Sequence, residues 1–139
     1  MKQPDDNIGT VKDLVIHRIE TAKSDINSAK ILLDAGEYRS SNNRAYYGIY
    51  HVISAMHALD GKAYKKHKDA LANFNREYVK TEIFPRNIGR RISEAAEIRH
   101  ASDYDDFYIA TKIEAEEQIA TAEELLNLVQ KYCNERLNG

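Results

Sequence analysis

The sequence predicts an all-α fold, an antiparallel bundle of about five helices, three long and two shorter. Three observations carry that prediction. Apolar residues recur at three- and four-residue steps along most of the chain, the period of one helix face. Only two prolines and six glycines interrupt 139 residues, too few for a turn-rich β fold. No segment alternates apolar and polar residues for long enough to make a strand.

The elements follow in order. Residues 1–9 are polar and read as an extended or disordered tail; residues 10–139 read as a single domain. The first helix starts near Thr10. Val11, Val15, Ile19, Ala22, Ile26, Ala29 and Leu33 form its apolar stripe, and Leu14 and Leu32 widen it. Gly36 stops it, because glycine takes the left-handed conformation without steric cost. Ser40 or Ser41 is positioned to cap the second helix by accepting a free backbone N–H. Ala45, Tyr46, Ile49, Val52, Ile53, Met56 and Leu59 are its inner residues, and Asp60-Gly61 ends it. A shorter helix is expected over 68–78, with Leu71, Phe74 and Tyr78 inward. Another begins near Pro85, a residue suited to a first turn. Ile88, Ile92, Ala95 and Ala96 form its inner face, which Arg99 continues. Residues 101–108 are acidic and aromatic and break the pattern. The last helix is expected over 109–137, with Ala115, Ile119, Ala122, Leu126, Val129 and Cys133 as its stripe.

Composition bounds the function. Hydrophobic residues make up 42% and charged residues 30%, which describes neither a disordered chain nor a membrane protein. The formal charge of −2 excludes a protein that is basic throughout, though not a local basic patch. Residues 62–68, with Arg86, Arg90 and Arg91, are candidates for such a patch, or for a solvated loop. The single cysteine, Cys133, lies late in an amphipathic helix and reads as a structural thiol in a reducing compartment. No apolar run suits a signal peptide or a bilayer span, so the reading is cytoplasmic, with no membrane association. There is no glycine-rich phosphate loop and no paired-histidine metal motif, so no cofactor and no metal are expected.

Two segments carry candidate chemistry. In Asn43-Arg44-Ala45-Tyr46-Tyr47-Gly48-Ile49-Tyr50-His51, Arg44 and His51 stand seven positions apart and share a helix face. About 10 Å of helix axis separates them. An arginine can hold a phosphate by two parallel hydrogen bonds, and a histidine can move a proton near neutral pH. Together these are parts of a metal-independent ribonuclease. The plain reading is an arginine hydrogen-bonded within the bundle and a histidine packed among tyrosines. In Arg99-His100-Ala101-Ser102-Asp103-Tyr104, Arg99 and Asp103 are an i,i+4 pair. Either they hold a helix end with Tyr104 closing the core, or Arg99 enters a pocket near Arg44 with Tyr104 at its rim. Tyr46, Tyr47 and Tyr50 give the second helix more aromatic surface than one core requires, which makes a homodimer an open expectation.

At these segments the chain resembles the HEPN family, in particular its small stand-alone prokaryotic members. The resemblance rests on Asn43-Arg44-Ala45-Tyr46-Tyr47 followed by Tyr50-His51, on Lys66-His67, and on Arg99 before Asp103-Tyr104, and it spans about residues 10 to 135. It implies an antiparallel bundle that commonly dimerises. It further implies a toxin–antitoxin setting, in which some members are ribonucleases and some pair with a small nucleotidyltransferase. RNA or a nucleotide is the implied ligand. The resemblance implies a polar site containing Arg44, Arg99, Asp103 and Tyr104; with the spacing of Arg44 and His51 added, the candidates are Arg44, His51 and Arg99 as catalytic residues and Asn43, Tyr47, Asp103, Tyr104, Lys66 and His67 as pocket or binding residues. The family's active motif is a late arginine followed a few residues on by histidine. Here the histidine after Arg99 is the adjacent His100, and Tyr104, Asp105 and Asp106 occupy the positions further on. The same residues therefore also suit a non-catalytic module that binds a nucleotidyltransferase or a nucleotide.

Overall fold

A computed structural model describes residues 10–138, and the tail expected over 1–9 lies outside them. Five α-helices follow one another: α1 (Val11–Asp34), α2 (Tyr38–Leu59), α3 (His67–Phe74), α4 (Arg86–Tyr104) and α5 (Lys112–Asn138). α3 runs directly into a π-helical turn, Asn75–Val79. Among the described residues there is no strand.

α2 is the centre of the bundle and packs against all four other helices. Its closest partner is α1. Small residues make that possible: Ala22, Ala29, Ala45 and Ala55 are fully buried, and Gly48 is buried beside them. A Cβ built on Gly48 would come within 2.9 Å of Ile26 Cγ1 and 3.5 Å of the Ala22 carbonyl oxygen. Larger residues fill the remainder of the core. Ile49, Val52, Ile53 and Met56 of α2 meet Ile88 of α4 and Leu125 and Val129 of α5, all with no exposed surface. Phe74, Tyr78 and Phe84 close the end near α3, with Phe74 and Phe84 stacked at 5.8 Å.

Helix ends depart from expectation in four places. Thr10 caps α1 as expected, with Asp13 N–H donating to its hydroxyl at 3.3 Å. α2 starts earlier than expected, after Glu37. Ser41 is then inside the helix, and its hydroxyl donates to the Ala29 carbonyl of α1 at 2.8 Å instead of capping. Pro85 stands one residue before α4. α4 continues through Ala101 to Tyr104 instead of breaking at 101, and the Arg99–Asp103 pair spans that last turn, with Ser102 buried within it. α5 begins only at Lys112, after an exposed connection. Gly36 and Gly61 both take positive φ, +78° and +73°, and turn the chain after α1 and α2.

Other expected core positions are not in the core. Val11 and Leu14 are exposed, and Leu126 is half-buried while its neighbour Leu125 is fully buried. Cys133 is buried, and burial pushes its thiol up to about 11, as a structural cysteine requires. Among the described residues no helix is long and apolar enough to cross a membrane.

Candidate functional site

Four helices bring one polar cluster together. Arg44, Tyr47 and His51 lie along one face of α2 at helical spacing. Asp25 faces them from α1. His67 reaches them as the first residue of α3, and Arg99 comes from the last part of α4.

Asp25 organises the near end. It is 7% exposed, and both carboxylate oxygens are used. Oδ1 accepts from Arg44 Nη1 at 2.9 Å, and Oδ2 lies 2.7 Å from His51 Nδ1. An aspartate buried to this degree requires such partners, since an unpaired buried charge is costly. Bonded to a carboxylate, His51 Nδ1 is the donor, so Nε2 is the ring nitrogen available for chemistry. Arg44 is fixed a second way, with its guanidinium 5.3 Å from the centre of the Tyr47 ring.

Tyr47 joins the two ends. Its hydroxyl accepts from Arg99 Nη2 at 3.1 Å, and the Arg99 guanidinium lies 5.6 Å from its ring and 5.5 Å from that of Tyr46. Arg99 Nε stands 3.2 Å from Asp103 Oδ2, an ion pair whose angle falls outside that of a hydrogen bond. Two arginines and two histidines thus converge on one tyrosine. His51 is 6.4 Å and His67 5.9 Å from the Tyr47 ring centre.

His67 stacks on Tyr50 at 3.7 Å, and its Nδ1 lies 3.0 Å from the Tyr46 hydroxyl. Burial lowers its pKa first, and the positive charges of Arg99 and His51 lower it further, so the ring is neutral at pH 7. Burial pushes Tyr46 up to about 12, which keeps its phenol protonated.

The sequence-derived candidates divide accordingly. Arg44, His51, Arg99, Tyr47, Asp103 and His67 belong to the cluster or touch it. Tyr104 does not close the core: it is 66% exposed and lies against His100. Asn43 is half-buried, its Oδ1 unpartnered, and among the described residues no hydrogen bond ties it to the cluster. Lys66 is exposed beside His67. Four members of the basic patch are paired within the chain, Lys62 with Glu77, Arg86 with Glu82, Arg90 with Glu94 and Arg91 with Glu124, while Lys65, Lys66 and Lys68 are exposed. The tyrosines that suggested a second copy are engaged inside one chain, with His67 and the two arginines.

Asp25 is the member that sequence reasoning missed. A signal was present. Asp25 falls three residues after Ala22 and four before Ala29, so it sits on the buried stripe of α1 where an acid requires an explanation.

Comparison with known proteins bears on the family and the fold. The model of the HEPN domain matches residues 16–132. A UPF0332 protein of Thermotoga maritima is 31% identical over 114 residues, 82% of this chain and 86% of the relative. A protein of Methanocaldococcus jannaschii, named "Putative toxin MJ0605", is 31% identical over 119 residues, 86% of this chain and 88% of the relative. The crystal structure of TT1696 from Thermus thermophilus shares the fold, with a TM-score of 0.72 at 19% identity, covering 84% of this chain and 96% of that one.

Proposed function

Because this chain belongs to the HEPN domain family, and because one buried carboxylate in it orients both a histidine and an arginine, we propose that it is a toxin-type protein that cleaves RNA without a metal ion. The observation that carries the reading is Asp25, bonded to Arg44 at 2.9 Å and to His51 at 2.7 Å. A packing histidine does not need a buried aspartate to set its tautomer, whereas a carboxylate on Nδ1 is one way a proton-transfer histidine is oriented.

In this reading Arg44 and Arg99 hold the scissile phosphate. Charge-assisted bonds from guanidinium groups grow stronger as the phosphorane gains charge. The adjacent 2′-hydroxyl attacks phosphorus, the bond to the 5′-oxygen breaks, and His51 takes part in the proton transfer through Nε2. The products are a 2′,3′-cyclic phosphate and a 5′-hydroxyl. The kinship with proteins named as toxins fits an RNA-directed activity. The test is incubation of the purified protein with RNA in excess chelator. Cyclic-phosphate ends support the reading, and intact RNA refutes it.

A second reading rests on a different observation. Phe107, Ile109 and Ile113 are 94%, 82% and 69% exposed in and after the α4–α5 connection. That connection is held in shape by Arg39, which donates to the carbonyls of Asp105 and Tyr108 at 2.6 and 2.7 Å. An ordered, exposed apolar loop suits a module that engages a protein, whether a second copy or a nucleotidyltransferase. Under this reading the polar cluster serves binding, and substitutions in it leave RNA untouched.

A further inference from the structure

Cleavage by a 2′-hydroxyl moves two protons, one off the attacking oxygen and one onto the leaving oxygen. His51 can serve one of them. We propose that His67 is the second catalytic residue, the general base that takes the 2′-hydroxyl proton, and that His51 is the general acid for the leaving 5′-oxygen. This rests on the ribonuclease reading and divides its chemistry between two rings.

The geometry of His67 distinguishes it from a packing histidine. His57 shows what packing looks like here: it is 1% exposed, and its Nε2 donates to the Ala70 carbonyl at 2.8 Å. His67 is only half-buried and uses Nδ1 alone, toward Tyr46. Among the described residues neither His67 Nε2 nor His51 Nε2 has a hydrogen-bond partner, and neither is a buried orphan. Each ring is therefore anchored at Nδ1 and open at Nε2. Both rings flank one tyrosine: Tyr50 lies 3.7 Å from His67 and 5.7 Å from His51, centre to centre. The two arginines of the cluster lie around Tyr47, which both histidine rings also approach. Two imidazole nitrogens without a partner among the described residues and two guanidinium groups around the same tyrosines supply the groups that a displacement at phosphorus uses.

The surroundings assign the roles. His67 faces Arg99 from α4 and Tyr46, Tyr47, Tyr50 and His51 from α2, with no carboxylate bonded to it. It is held neutral, as a base must be. His51 faces Asp25 from α1 and Tyr47 and Tyr50 on its own helix, so the carboxylate sits where it offsets an imidazolium charge. In the tautomer that carries its proton on Nδ1, toward the Tyr46 oxygen, Nε2 of His67 presents a lone pair, and that tautomer is assigned to the reactive state. That lone pair takes the 2′-hydroxyl proton as the 2′-oxygen to phosphorus bond forms. The phosphorus to 5′-oxygen bond breaks as protonated His51 gives its Nε2 proton to that oxygen. One proton enters at His67 and one leaves at His51, and solvent exchange restores both.

The test uses two substrates. A pool of dinucleoside monophosphates has alkoxide leaving groups that require an acid. The matching nucleoside 3′-(4-nitrophenyl phosphates) have a leaving group that does not. His67→Ala is expected to lower kcat/KM about 100-fold or more on both. His51→Ala is expected to lower it about as much on the dinucleotides and less than about tenfold on the aryl esters. The acidic limb of the kcat/KM profile should vanish in His67→Ala and persist in His51→Ala. Circular dichroism checks folding, and His67→Gln, which keeps a polar partner for Tyr46, replaces the alanine variant if that variant is unfolded. A His67 variant that cleaves both substrates like wild type, or the reversed pattern of the two variants, overturns the assignment while leaving the ribonuclease reading in place. A wild type that cleaves neither substrate removes both.

Discussion

Replacing Asp25 by asparagine tests the centre of the cluster with almost no change of shape. The carboxylate now makes two charge-assisted contacts, 2.9 Å to Arg44 and 2.7 Å to His51. Asparagine keeps one acceptor oxygen and turns the other into an NH2 donor. If the oxygen stays with Arg44, the NH2 faces His51 Nδ1, which must then accept. The proton of neutral His51 moves to Nε2, the opposite tautomer. If the amide is flipped, the NH2 opposes the Arg44 guanidinium. One contact is lost either way. A hydrogen bond to a charged group contributes about 1.5 to 3 kcal/mol. The Arg44 and His51 side chains are 41% and 30% exposed, so water replaces part of what is lost. A loss of about 1 to 2 kcal/mol results, and at about 4 °C per kcal/mol the Tm falls by about 4 to 8 °C. Activity should fall further than stability, because an NH2 facing Nδ1 disfavours the imidazolium that proton transfer from Nε2 requires, and so affects more than binding. About 100-fold in kcat is expected, within the range that one positioned proton donor or acceptor contributes. The assays are thermal unfolding by circular dichroism and RNA cleavage at a temperature where both proteins are folded. An Asp25→Asn protein with wild-type Tm and wild-type cleavage would refute the reasoning.

Three further outcomes follow from the packing and the charges. Gly48→Ala places a methyl 2.9 Å from Ile26 Cγ1 at the closest approach of α1 and α2. Overpacking of about 1 to 3 kcal/mol outweighs the helix-propensity gain of about 1 kcal/mol, so urea denaturation should show a net loss. Stability should also fall as pH drops below about 6.5, the ordinary histidine pKa. His57 and His67 both bind protons less readily when folded, burial being the first cause for each. The unfolded chain therefore takes up more protons in that window, and ΔG of unfolding rises with pH through it. Denaturation midpoints that are level between pH 5 and pH 7 would contradict this. Cys133, pushed up to about 11 by burial, should react with an aromatic disulfide reagent at pH 8 only as fast as the fold opens, and at once in denaturant.

The bundle was legible because helix periodicity is a local property. The stripes of α1, α2 and α5 follow from residue spacing alone, and the turns at Gly36 and Gly61 from one residue type each. The shared face of Arg44 and His51 was legible for the same reason. Their partners were not, since those depend on how helices pack. Asp25 meets them only because alanines and Gly48 let α1 and α2 approach closely. His67 reaches Tyr46 and Tyr50 only because the connection after Gly61 returns across α2, a path that no local pattern specifies. The expected caps at Ser40 or Ser41 failed on similar grounds. Ser41 can satisfy a carbonyl of α1 once the helices touch, and that contact is worth more to a fully buried hydroxyl than a capping role at the surface. The exposed aromatic connection after α4 lacks a stripe, and the sequence could mark it only as a break.

The most direct measurement is cleavage of RNA by the purified protein in excess chelator, beside His51→Ala, with product ends identified by mass spectrometry and folding checked by thermal unfolding. The account predicts cleavage to 2′,3′-cyclic phosphate ends by the wild type, and loss of that cleavage in a variant that still folds cooperatively. Intact RNA with the wild type, or undiminished cleavage by the variant, contradicts it.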